Sequence, residues 1–124
     1  MTLMELLIAV AIIAILAAVA VSQYGKTIEV NYRQQAQDLL TTIYYGERAY
    51  QLANNKYVDP GGNWNAIFMD NPQVGAAPPI TYAVTSAAAK TFTAAATRTG
   101  GSCGGSTMTI DEVRTINTGG WTCP

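Results

Sequence analysis

The run from Leu6 to Val21 within MTLMELLIAVAIIAILAAVAV contains no polar side chain, and a single carboxylate, Glu5, stands directly ahead of it. Coiled as a helix, the stretch from Met1 to Val21 rises roughly 31 Å, about the thickness of a bilayer's hydrocarbon core. A lone carboxylate inside that span costs about 2.5–3.5 kcal/mol or more. A chain that begins this way needs an apolar surrounding for its first helix and a reason to keep Glu5.

Three readings compete for this stretch. A secretory signal peptide carries a positive segment ahead of a short apolar run, but no Lys or Arg precedes Lys26 and Glu5 occupies the place of the positive charge. A transmembrane anchor fits the length and leaves Glu5 unexplained. In the third reading, Glu5 meets a partner charge inside an assembly.

The helical pattern continues past a softer patch, Ser22-Gln23-Tyr24-Gly25. Apolar or aromatic residues and one glycine recur at Ile28, Tyr32, Ala36, Leu39, Ile43, Gly46, Tyr50 and Ala53, in steps of three and four that mark one helical stripe. Lys26, Glu29, Arg33, Gln34, Gln37, Asp38, Glu47, Arg48 and Gln51 fall between them and are assigned to a solvated face. Asn54-Asn55 ends the pattern and Pro60-Gly61-Gly62 confirms the stop. The expectation is one helix of about 53 residues, roughly 80 Å long, apolar all round in residues 1–25 and amphipathic in residues 26–54.

Residues 55–79 read as a loop, broken by Pro60, Gly61, Gly62, Pro72, Gly75, Pro78 and Pro79, with Trp64, Ile67 and Phe68 expected to pin it to the core. Residues 80–124 alternate with a period of two. Ile80, Tyr82 and Val84 share one strand face; Phe92, Ala94 and Ala96 share the next, across a loose hairpin at Thr85–Lys90. Met108 and Ile110 point inward from a third strand around Thr107–Ile110, and a weaker fourth is expected over Val113–Ile116. The fold class is therefore α+β: a long amino-terminal helix whose second half packs on a small antiparallel sheet of three or four strands. The globular head is expected over residues 26–124.

Composition narrows the function. Net charge is −1, only 12% of residues are charged and histidine is absent. The commonest general base and transition-metal ligand is therefore missing, and no basic patch suits a phosphate backbone. Neither catalysis, a cofactor nor specific nucleic-acid binding has support. Asp59, Asp70 and Asp111-Glu112 lack calcium-loop spacing. The tyrosines along the helix, at positions that packing would use anyway, do not by themselves suggest electron conduction. Cys103 and Cys123 are either buried thiols or a disulfide. An amino-terminal membrane segment sends the rest of the chain across the membrane, which favours the disulfide. Closing that loop of about 20 residues contributes roughly 3 kcal/mol in the chain-entropy model.

MTLMELLIAVAIIAILAAVAVSQY resembles the mature amino-terminus of a type IV pilin, or of the related pseudopilins of type II secretion. The likeness rests on the apolar run, Glu5 at the fifth position and Tyr24 just after the run. The continuation GERAYQLANNKYV and the late two-cysteine loop also suit it. The resemblance implies the pilin fold with a carboxyl-terminal disulfide loop. It also implies processing by a prepilin peptidase with methylation of the new amino-terminus at Met1, and handling by inner-membrane assembly machinery. The subunit would wait in the membrane, then join a helical filament of identical copies at the cell surface. There the Met1 amine of one copy would pair with Glu5 of its neighbour, because unpaired charge in a low-dielectric bundle is heavily penalised.

Three positions depart from the family pattern. Met1 stands where most members have Phe, Ala14 where many have Gly, and Ser22 where many have Pro. Since interior Gly costs about 1 and Pro about 3 kcal/mol relative to Ala, this helix should melt less readily than the family's. Ser22 and Gly25 remain its soft points, and any non-helical segment is expected near Ala17–Gly25. The function implied is a major pilin of a fibre for adhesion, twitching motility or surface colonisation. A secretion pseudopilin of a short periplasmic filament and a competence pilin for DNA uptake are the alternatives.

Overall fold

The computed structural model of the chain describes residues 2–73, 75 and 78–124. Helix α1 runs unbroken from Leu3 to Asn54, 52 residues. Its start is capped by Thr2 and its end by Asn55, whose left-handed backbone (φ 57°) turns its N–H back to the Gln51 carbonyl. Four strands follow: β1 (Ile80–Ala87), β2 (Phe92–Arg98), β3 (Thr107–Asp111) and β4 (Ile116–Asn117). They form one antiparallel meander in the order β1-β2-β3-β4. Cys103 and Cys123 are joined by a disulfide, Cα to Cα 5.7 Å, which ties the end of the chain to the β2–β3 connection. The layout is the one the resemblance implies: one long helix, a four-stranded sheet on its second half, and a stapled carboxyl-terminal loop.

The core sits between α1 and the sheet. Ala36, Leu40 and Ile43 from the helix meet Tyr82, Val84, Phe92, Met108 and Ile110 from the strands. Ala94 and Ala96, both fully buried on β2, keep the middle of the sheet shallow beneath the helix. The expected inward faces of β1, β2 and β3 hold throughout. Between helix and sheet, a 3-10 turn at Trp64–Ile67 inserts Trp64 and Ile67 into the core. Gly46 is what admits it: a Cβ there would strike the Ile67 backbone carbonyl.

Several expectations are corrected. Phe68 does not pin the loop; it is 70% exposed, because the 3-10 turn ends at this residue in a left-handed conformation (φ 61°) that swings its side chain outward. The hairpin loop is shorter than Thr85–Lys90, since β1 continues to Ala87 through a bulge between Val84 and Ser86. The fourth strand does not span Val113–Ile116. Arg114 takes a left-handed conformation (φ 66°) in the turn, and pairing begins only at Ile116. On the helix, Leu40 rather than Leu39 is fully buried, and Ala53 is exposed. Two acids assigned to solvent are also covered: Glu47 is buried and Glu29 half-buried. The sheet and the loop together embrace a wider arc of the helix than the apolar stripe defines.

Candidate assembly interface

The amino-terminal half of α1 projects from the head with nothing against it. Leu3, Met4, Leu7, Ile13, Leu16, Val19 and Val21 are all more than half exposed, and the most apolar 18-residue window of the helix has mean hydropathy 2.8 with 0% of it buried. A helix apolar on every side is stable only where every side is covered, in a bilayer or in a bundle of other helices. By length and composition this segment is able to cross a membrane.

At its tip, Thr2 and Glu5 form a reciprocal cap. The Glu5 N–H donates to Thr2 Oγ1 at 3.2 Å, and the Thr2 N–H donates to Glu5 Oε2 at 2.8 Å. Two of the orphan N–H groups that begin any helix are thereby satisfied, and the carboxylate sits at the positive end of the helix dipole. The sequence carried this signal as Thr-x-x-Glu before an apolar run, which the reading of Glu5 as an unpartnered charge passed over. Glu5 uses Oε2 for the cap, and among the described residues no donor reaches Oε1. Met1, expected to supply an amine to a neighbour's Glu5 and to be methylated, lies outside the described residues.

The soft points Ser22 and Gly25 are both helical in the single chain. The Ser22 hydroxyl donates back to the Val19 carbonyl at 3.0 Å, and Thr27 does the same to Gln23 at 3.1 Å. These bonds satisfy hydroxyls that water would otherwise serve. Gly25 lies on an open surface, with nothing within 4 Å of where a Cβ would stand.

The head takes hold of the helix just beyond, at Glu29. Its carboxylate receives Arg98 Nη2 at 3.0 Å and Nε at 3.1 Å. Arg98 Nη1 donates to the Pro79 carbonyl at 2.9 Å, and the guanidinium lies 4.3 Å from the Tyr32 ring centroid. Arg98 ends the inward face of β2, a place where the pattern of alternation calls for an apolar residue. Only its partner on the helix accounts for it. At the other end of the head, Glu47 is fully buried and accepts the Val58 N–H through Oε2 at 3.1 Å. Burial pushes its carboxyl up to about 7, with the nearby Asp59 charge adding to the rise and the Val58 bond opposing it. Neither acid was legible as a packed residue from helical spacing alone.

Of the other acidic residues considered as sites, Asp59 and Asp111 make turns. Asp111 Oδ1 accepts the N–H groups of Val113 and Thr115, and Asp59 Oδ1 accepts that of Gly61. Among the described residues, no group of three or more His, Cys, Asp or Glu is gathered as metal ligands would be. No family model matches the chain, and a search of curated proteins returned no match.

Proposed function

We propose that this chain is the structural subunit of a type IV pilus, held in the inner membrane by residues 1–25 and then polymerised into an extracellular fibre for adhesion, twitching motility or surface colonisation. The observation that carries the reading is the fully exposed apolar half of α1 joined rigidly to a small, closed head. An anchor alone needs no such rigid continuity between its membrane segment and its folded domain. A filament does, because the relation between buried stalk and outer head must be the same in every copy. In this reading Glu5 sets axial register by pairing with the Met1 amine of a neighbouring copy, after a prepilin peptidase has exposed that amine. Its cap with Thr2 is compatible, since Oε1 is not used there.

Electron microscopy of fibres sheared from cells that express the chain, with mass spectrometry of the fibre subunit, tests the reading. Long surface fibres made mostly of this chain are expected. A short filament confined to the periplasm would favour the secretion pseudopilin, and no filament would overturn the proposal. Glu5→Gln isolates the register role: a fibre yield equal to wild type refutes it.

A further inference from the structure

The segment from Asn55 to Gly62 closes the far end of the head, between the end of α1 and the 3-10 turn. It has a hinge at each end. Asn55 takes a left-handed backbone (φ 57°), and Gly61 (φ 56°) is followed by Gly62, with open space around both glycines. Between the hinges Tyr57 and Pro60 are buried, while Lys56 and Asp59 are exposed. The Tyr57 N–H donates to the Ala88 carbonyl at 3.0 Å, its ring lies 4.8 Å from that of Phe92, and its hydroxyl accepts Arg48 Nη1 at 3.2 Å. The next N–H, that of Val58, donates to Glu47 Oε2 at 3.1 Å. Glu47 lies beneath with 0% exposure, and its other oxygen, Oε1, is buried with no hydrogen-bond partner among the described residues. A buried carboxylate needs several donors, and a single N–H does not meet that need. The neutral acid fits this surrounding better: Oε2 accepts the Val58 N–H as its carbonyl oxygen, and the proton stays on Oε1.

We propose that residues Lys56–Pro60 form a strap over Glu47, which the protonated carboxyl holds closed and the ionised carboxyl opens. The inference concerns the head alone and stands whether or not the chain polymerises. The charged and titratable groups around Glu47 do not favour its ionisation in place. On its own helix, Arg48 is turned to the Tyr57 hydroxyl and the Tyr44 ring lies 6.3 Å from that of Phe92. From the strap, Lys56 is exposed, and Asp59 acts on Glu47 as a like charge. From the sheet side, Glu112 Oε2 accepts the Phe92 N–H at 3.4 Å, and the 3-10 turn Trp64–Ile67 carries no charge. Burial therefore holds the carboxyl up to about 7 while the strap is closed, against the ordinary 4.5 once water reaches it. A raised closed-state value means that closure is strongest below 4.5 and weakens as pH rises, until pH passes 7. Across that window the opening equilibrium rises roughly tenfold per pH unit. On opening, the carboxyl proton passes to water, Val58 loses its acceptor and Tyr57 withdraws from Phe92. The far end of the head is thus tight in acid and loose at neutral pH.

Hydrogen–deuterium exchange of the detergent-solubilised full chain, read by mass spectrometry and corrected for intrinsic exchange chemistry, tests this. The Tyr57 and Val58 N–H groups report the strap, and those of β2 report unfolding of the whole head. At pH 7.5 the strap amides are expected to exchange at least about tenfold faster than those of β2. Their opening is expected to rise about 50-fold from pH 5 to pH 7.5. In Glu47→Gln, which keeps an oxygen for the Val58 N–H, that rise should vanish. A rise of the same size in Glu47→Gln overturns the role of Glu47. Strap and β2 amides that exchange together at both pH values overturn the strap from the wild-type chain alone, because the segment then moves only when the whole head unfolds.

Discussion

Glu29 and Arg98 lie 69 residues apart in the chain and meet edge to edge, with two nitrogens of the guanidinium on two oxygens of the carboxylate. The pair stands where the exposed stalk enters the head and locks the end of β2 to the helix. Its fork geometry, together with the Pro79 carbonyl and the Tyr32 ring, fills most of what an arginine can bind.

Removing one partner leaves the other desolvated and unpaired. Arg98→Ala is expected to destabilise the head by about 2–3 kcal/mol. Replacement of both residues by apolar side chains of similar size should cost less than Arg98→Ala alone. Denaturant unfolding of the detergent-solubilised full chain, followed by tryptophan fluorescence, reads both. An Arg98→Ala midpoint equal to wild type would show that the pair contributes nothing.

Glu47 makes stability depend on pH. Its folded pKa, about 7, lies above the ordinary 4.5. As pH rises through 4.5 the unfolded chain loses this proton while the folded chain keeps it, so stability falls until pH passes 7 and then levels. The total is on the order of 3 kcal/mol. Glu47→Gln keeps an oxygen for the Val58 N–H and removes the titration. The variant should show a flatter unfolding profile between pH 5 and 8 and gain on wild type at pH 8. An unchanged slope would remove Glu47 as its source.

Two helical glycines should respond to Ala in opposite directions. At Gly25 a Cβ meets open space, so Gly25→Ala stabilises the helix by about 1 kcal/mol. At Gly46 it meets the Ile67 carbonyl, a backbone atom that cannot swing aside. Gly46→Ala should therefore destabilise by about 1–3 kcal/mol despite its better helix propensity. Thermal melting of the two variants side by side decides the sign of each.

The disulfide closes a separation of 20 residues around β3 and β4. Cys103→Ser with Cys123→Ser should lower stability by roughly 3 kcal/mol in the chain-entropy model. Trp121, buried two residues before Cys123, should gain exposure as the chain end loosens. A red-shifted tryptophan emission in the variant, absent from wild type, is the expected signal.

The long helix, its stop at Asn54-Asn55 and the inward residues of three strands could all be read from the chain alone. Each is set by local spacing: hydrophobic period, terminal capping and turn residues act between near neighbours. Thr2 and Glu5 belong to that legible set as well, since a capping box joins residues only three positions apart. Glu29, Glu47, Phe68 and Val113 do not. A helical acid reads as solvated until a distant arginine or loop N–H arrives to cover it. An aromatic in a loop reads as core until a backbone turn aims it outward. Sequence by itself determined that the first helix must be covered by something apolar. Only the tertiary structure decided which charges the head encloses and which apolar side chains it leaves outside, because burial depends on what packs from across the chain and not on the residue's own periodicity.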